Sequence, residues 1–465
     1  SLEVVTYDEA TATIRPFDVS WGEGGWTISP YGYPADAADR LQKTAASVVG
    51  VERAGLASRR EGDHERFGVV DPMSEDVTKL KGRGSRVTLK DGKGRVLADY
   101  ILGKPVEGPD GYYYVRKPKE KETYIAKVDL DLSTRFADWI ESDLLKISAS
   151  DLRAIRIHDY SLDEDRGRIV GGEEHVLTRE EGFGPWTLEG LSEAAEQVNT
   201  ANVNSLTRVL DELKIIGVRP KPKGLNPDLT LDPKVIDNQL AADLLQRNLA
   251  ERGFFLAQDQ DGNLRIVAKE GQLTAVTDDG VAYDLYFGEQ FSGSLSEVEF
   301  GDAEGTDEPK RLKEDGTKKT ETGRYVFITA RLEPSRLGDA PTPPAEPQPP
   351  SEGASEDDRK NAEEAAEKAK ADYEAAKKAY DQKVAKTKER VEELNDRFGD
   401  WYYVISTENF QDLRLSRDAL VQPKSAASPP PSETAAGVGP DSPVEAPKPP
   451  ASPGADAPAA PRRET

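Results

Sequence analysis

The pentapeptide RFADW, residues 135–139, recurs as RFGDW at residues 397–401. A match of five residues is informative only if its surroundings correspond as well, and here they follow in the same order. Trp26-Thr27-Ile28 matches Trp186-Thr187-Leu188, and each leads into an amphipathic stretch closed by a glycine, Gly50 or Gly217. DYILGK, from Asp99, matches DLYFGE, from Asp284; GYYYV, from Gly111, matches GRYVF, from Gly323. Asp151-Leu152-Arg153 follows the first pentapeptide and Asp412-Leu413-Arg414 the second. Five landmarks in one order imply a tandem duplication, with one supersecondary unit used twice. The fold class expected is α+β: two tandem repeated modules of mainly antiparallel sheet packed with amphipathic helices, plus one long inserted helix and a disordered tail.

Module 1 is expected over residues 1–160 and module 2 over 161–424. In module 1, strand-like residues 2–29 lead to a helix over about 34–50, with Pro34 in its first turn and Leu41, Ala45 and Val48 on one face. Strands resume from Arg86, punctuated by Asp91-Gly92 and Asp110-Gly111. Module 2 repeats this, with a helix carrying Val203, Leu206, Leu210 and Leu213 on one face. It adds an extra helix over about 233–252, capped by Asp232 and stopped by Gly253.

Two insertions in the pattern stand out by composition. Residues 338–357 form a Pro-rich linker, and residues 358–397 turn to Ala, Glu and Lys without Gly or Pro, which predicts a long helix. Its apolar stripe runs from Ala362 through Tyr373 and Tyr380 to Leu394 and Phe398, thin at the start and stronger at the end. The beginning of that helix is therefore expected in solvent and its end docked on module 2. The tail, residues 425–465, is rich in Pro, Ala and Ser and buries too little apolar surface to offset its ordering entropy.

The net charge of −24 argues against a nucleic-acid partner, because recognition of phosphate backbones needs clustered Lys and Arg. With no cysteine the chain has no disulfide, thiolate nucleophile or Cys-type metal site. No apolar run reaches the length of a membrane span. The chain begins at Ser1 without Met, directly in a strand-like stretch, which is the pattern expected if an upstream segment has been removed.

Chemistry is sparse. Trp26, Trp139, Trp186 and Trp401 sit among alternating apolar residues and read as core anchors. Asp138 and Asp400, each before a Trp, read as turn caps. DQDGN at 259–263 fails the EF-hand pattern, since Ala257 and Ala268 occupy ligand positions. The acidic stretch DYSLDEDRG from Asp159 reads as a hairpin connection. His64, His158 and His175 have no neighbouring activated Ser, and no nucleophile elbow, P-loop, dinucleotide fingerprint or H-E-x-x-H motif occurs. No catalytic, cofactor-binding or metal-ligating residue is assigned.

The segments GWTISPYGYPADAADRL, FGVVDP, VTLKDGKGRVLADYILGKPVEGPDGYYYVRK, TYIAKVDLDLSTRFADWI and DLLKISASDLRAIRI together resemble the bacterial domain-of-unknown-function family numbered 4340. PWTLEG, LKIIGVRPKP and YDLYFGE resemble its long two-module, planctomycete-type form. The resemblance implies no activity and no catalytic residues. It implies an extracytoplasmic body on the periplasmic side, held in the inner membrane by an N-terminal helix that this chain lacks. It also implies a protein partner, the permease or auxiliary subunit of a gliding-motility-type ABC transporter. The expected function is a non-catalytic accessory or scaffold protein. The alternatives are a cell-envelope glycan- or protein-binding module and a hydrolase with a spatially assembled site.

Overall fold

Side-chain alternation sets the first sheet: in β1 (Leu2–Asp8), Leu2 and Val4 are buried while Glu3 and Val5 are only partly covered. The computed structural model describes residues 1–424 apart from 10–11, 23, 37, 77–79, 109, 129–132, 142, 165, 167, 193, 235–237, 259–263, 294–297, 300–320 and 346–354. β1 continues as an antiparallel meander through β2 (Thr13–Gly22), β3 (Gly25–Ile28) and β4 (Tyr33–Pro34). Helix α1 (Ala38–Val49) then crosses to the far edge, taken by β5 (Glu52–Ser58). After the short α2 (His64–Phe67), strands β6 (Ser85–Lys90), β7 (Val96–Pro105), β8 (Tyr112–Arg116) and β9 (Thr123–Lys127) fill the gap between β1 and β5. The order is β4-β3-β2-β1-β6-β7-β8-β9-β5.

The second sheet follows the same path. β10 (Leu152–Asp163), β11 (Arg168–Thr178) and β12 (Thr187–Leu188) form the meander. After β13 (Glu196–Val198), helix α3 (Thr200–Asp211) crosses to β14 (Ile215–Pro220) at the far edge. Helix α4 (Gln239–Ala250) and the ribbon of β15 (Phe254–Gln258) and β16 (Leu264–Ala268) are added here. β17 (Gln272–Thr277), β18 (Val281–Gly293), β19 (Glu321–Leu332) and β20 (Trp401–Ser406) then fill the gap, giving the order β12-β11-β10-β17-β18-β19-β20-β14. Strand for strand this is the first order again, less its outermost β4. The long helix α5 (Glu356–Phe398) enters between β19 and β20, where the first sheet has a short turn. Helices α6 (Thr407–Leu413) and α7 (Arg417–Leu420) lead to β21 (Val421–Pro423), which pairs with β13.

The two sheets do not own separate interiors. Ser1–Pro423 is one compact unit, and one continuous apolar cluster joins Leu2, Val19 and Val87 of the first sheet to Ile155, Leu285 and Ile405 of the second. The segment after β9 supplies the junction: Phe136, Trp139, Leu144 and Leu145 lie inside that cluster. The amide of Phe136 donates to the Glu299 carboxylate at 3.0 Å, and Arg397 donates to the Asp143 carbonyl at 2.8 Å. Tyr33 packs edge-on against Trp401 at 4.9 Å. The outer face of the second sheet is buried as well. Phe327 and Tyr402 form a second cluster with Leu245, Leu249 and Phe254, which is why residues 402–405 are apolar in succession rather than alternating.

The landmark glycines have a physical reason. Gly103 and Gly288 each stand four residues after the landmark aspartate. A Cβ would lie 2.4 Å from the Phe67 carbonyl oxygen at the first and 2.2 Å from that of Arg252 at the second. In both sheets the covering chain crosses the strand at this point, and only glycine leaves room.

Several sequence expectations need correction. The two RF-x-DW copies are not equivalent. Residues 136–138 form a 3-10 turn after β9, whereas Arg397 and Phe398 close α5 and Trp401 opens β20, the counterpart of β9 itself. Likewise Leu152 opens β10 but Leu413 ends α6. Strand pairing, not local likeness, defines the true correspondence. The boundary at 160/161 falls inside β10, so the second sheet begins at Leu152. Pro34 lies in β4 opposite Thr27, and α1 starts only at Ala38. Helix α4 starts at Gln239, because the Asn238 side chain accepts the Ala241 amide at 2.9 Å; Asp232 instead accepts from Lys234. Gly217 does not stop α3 but sits inside β14, where a Cβ would lie 2.1 Å from the Val298 carbonyl oxygen. The turn at 259–263 and the tail at 425–465 lie outside the described residues.

Candidate functional site

Helix α3 carries two faces. Asn199 caps it by accepting the Asn202 amide, and Val203, Leu206 and Leu210 turn inward. The flank at 200, 204, 207, 208 and 211 faces a groove, a helical spacing of three and four residues. The opposite wall is the loop Phe183-Gly184-Pro185-Trp186 that leads into β12. The groove measures about 530 Å³. That falls in the size range of small-ligand sites, where apolar and aromatic walls carry a few placed polar groups.

Arg179 forms its floor. Its Nε donates to the Leu152 carbonyl at 2.8 Å, another guanidinium nitrogen donates to the Ala149 carbonyl, and the group lies 4.6 Å from the Trp186 ring centroid. Burial lowers its pKa from the ordinary value, and the neighbouring charge of Arg153 adds to this while Asp151 opposes it. The Asp211 carboxylate accepts the Ala149 amide at 2.8 Å, and the Thr207 hydroxyl donates to the Asn204 carbonyl at 3.1 Å. The side chains of Thr200 and Asn204 make no hydrogen bond among the described residues. Phe183, at the rim of the groove beside Trp186, is 89% exposed. The groove thus offers an aromatic wall and free amide and hydroxyl groups, suited to holding a ligand rather than to moving protons.

The residues singled out from sequence do not meet there, Trp186 excepted. Trp139 is fully buried, as expected of a core anchor, but Trp26, Trp186 and Trp401 are only partly buried at the edge of the core. The Asp138 carboxylate accepts the Ser133 hydroxyl, as a turn residue does, and the Asp400 carbonyl accepts the Lys221 amide at 2.7 Å. His64 is buried with a ring nitrogen 2.8 Å from the Lys121 carbonyl oxygen. His175 pairs with Ile157, so it lies on the other face of the sheet from His158, which meets Tyr160 edge-on at 4.9 Å. Among the described residues no group of three or more His, Asp and Glu is placed to hold a metal ion. Buried Arg116, Arg219 and Arg324 each donate to backbone carbonyls and serve the fold. Sequence reasoning passed over Phe183 and Asn204; the available signal was an aromatic held in a Gly-Pro loop, EGFGPW.

Residues 26–232 match the model of a family described as a domain of unknown function (DUF4340). The resemblance therefore holds for a stretch that runs from β3 of the first sheet to just beyond β14 of the second. No curated protein and no solved structure matches the chain.

Proposed function

From the DUF4340 resemblance, we propose that this protein is a non-catalytic, extracytoplasmic accessory or scaffold protein of a gliding-motility-type ABC transport system in the bacterial envelope. In the full-length protein it is anchored in the inner membrane. The observation that carries this reading is helix α5. Its last turns are built into the second sheet: Asn395 exchanges hydrogen bonds with the Ala330 backbone at 2.8 Å, and Leu394 and Phe398 are buried. Its first seven turns are almost wholly exposed and serve nothing in the described fold. A rigid arm fixed at one end is a means of reaching a partner. Co-purification of the tagged full-length protein from native membranes tests this. A transporter permease or auxiliary subunit is expected to copurify, and its consistent absence under gentle detergent conditions would refute the reading.

The groove favours a second reading, an envelope glycan- or protein-binding module, because Phe183 and Trp186 present aromatic surface beside free polar groups. Soluble peptidoglycan fragments titrated against the purified chain test it. Binding that weakens about tenfold in Phe183→Ala supports it, and no binding at millimolar fragment removes it.

A further inference from the structure

The arm has a seam. Ala366, Tyr373, Tyr380, Thr387 and Leu394 are spaced by seven, with Ala362, Ala369 and Ala376 three or four residues from them. This is the a/d pattern of a two-helix contact. At the C-terminal end the seam is used: Leu394 is buried, and the Thr387 hydroxyl donates to the Asp279 carbonyl at 2.7 Å. Further out the same seam continues without cover. Tyr373 and Tyr380 are only partly covered. Their hydroxyls make no hydrogen bond and their rings meet no other ring among the described residues. Ala362, Ala369 and Ala376 are exposed.

The charge along the arm decides what fits. Residues 356–367 hold six carboxylates and two cations, whereas residues 368–386 hold six lysines and three carboxylates. One half is acidic and the other basic, so the arm is complementary to itself turned end for end. A parallel partner copy would set acid on acid and lysine on lysine. A two-fold axis across the arm, the commonest symmetry of homodimers, sets each acidic half on the basic half of the other copy. Tyrosines alternating with alanines along the seam let large side chains pass small ones.

We infer that the outer part of α5 is a homodimerisation arm, pairing antiparallel with the same segment of a second copy. Residues 356–386 give a contact of about 46 Å at 1.5 Å per residue. The inference rests on the scaffold reading of the arm and names a second copy of the chain, rather than a transporter subunit, as what the arm itself grips. It needs no transporter to be tested, so the two readings fail separately. The rival state is a solitary helix supported by its own i,i+4 pairs, of which Lys360–Glu364 and Lys377–Asp381 are formed.

Size-exclusion chromatography with light scattering on the chain of residues 1–465, between about 1 and 100 μM, reads the outcome. A concentration-dependent dimer is expected, weakened by salt because the charges are exposed. Tyr373→Glu with Tyr380→Glu is expected to raise the dimer dissociation constant at least tenfold while leaving the thermal transition of the body in place. Reversing one half (Glu363→Lys, Glu364→Lys, Glu367→Lys) is expected to give a monomer. Adding Lys377→Glu, Lys378→Glu and Lys383→Glu to that chain is expected to restore the dimer. The chain has no cysteine, so Ala362→Cys reports direction alone. Antiparallel arms hold the two thiols at opposite ends, and a rapid disulfide between them would overturn the pairing. A monomer at every concentration, or a dimer indifferent to these variants, would overturn the inference.

Discussion

In the first sheet Asp99 on β7 faces Thr88 on β6, accepts its hydroxyl at 3.3 Å, and receives two guanidinium bonds of 2.9 Å from Arg86. In the second, Asp284 on β18 faces Thr274 on β17 and accepts its hydroxyl at 2.6 Å, but its guanidinium comes at 2.8 Å from Arg331 on β19. The Thr–Asp pair is retained and the cation has changed strand. The requirement is thus for charge compensation of a carboxylate on the sheet, and either neighbouring strand satisfies it. The surroundings differ too. The outer face of the first sheet carries a small cluster of Phe67, Val69 and Ile101, whereas α4 and its ribbon build a larger one over the second. Asp284 is accordingly the more buried, its side chain 13% exposed against 26% for Asp99.

The largest expected effect separates the two pentapeptides. Trp139→Ala removes a fully buried indole whose Nε1 donates to the Ser133 carbonyl at 2.9 Å, and is expected to cost about 4 kcal/mol of unfolding free energy. Trp401→Ala removes a partly buried ring and is expected to cost about half as much. Equal midpoint shifts in urea would show that the two copies carry equal loads after all.

Next come the aspartates. Asp284→Ala strands a buried threonine hydroxyl and takes from Arg331 one of its two carboxylate partners, Glu333 being the other, for an expected loss of about 3 kcal/mol; Asp99→Ala, where the carboxylate is more exposed, is expected to cost about 1 kcal/mol. Denaturant titration of both variants sharpens the comparison, and a larger cost at Asp99 would reverse it.

The smallest effect is read by pH. Burial pushes the phenols of Tyr33, Tyr283 and Tyr286 up to about 12. Each therefore stabilises the fold below the unfolded value of about 10, and that contribution drains away as pH rises from about 10 towards 12. Lys221 on the loop after β14 runs the other way. Burial holds its ammonium down to about 8 against the pull of Asp400 and Asp228, while its Nζ donates to the Asn226 carbonyl at 2.8 Å. Its cost is present below about pH 8 and is relieved between about 8 and 10.5, so stability gains there. Melting curves between about pH 8 and 9, below the range in which the tyrosines act, are expected to rise for the parent chain and to rise less for Lys221→Met. Identical slopes would remove Lys221 from the account.

Much of this architecture was legible in the residues. DYILGK and DLYFGE mark equivalent strands because each needs an aspartate for the same threonine pairing and a glycine where covering chain passes. GYYYV and GRYVF lie in equivalent strands for reasons of pairing alone. RFADW and RFGDW misled because Arg, Phe, Asp and Trp suit a 3-10 turn as well as a helix end, and five residues carry no information about pairing partners. The groove was harder to see. Its two walls are Phe183–Trp186 and residues of α3, and no periodicity links a loop to the flank of a helix.

The amino-acid sequence alone determined the local features of this protein: alternating strands, glycines at the crossings, an acidic surface and a helix whose apolar stripe fades towards its start. Each depends on near neighbours and on the residue's own chemistry. Only the tertiary structure decided that two sheets share one interior, that β20 is buried on both faces and that α3 meets the Phe183 loop. Those outcomes depend on which distant surfaces exclude water together, and such pairing is not encoded by any short stretch.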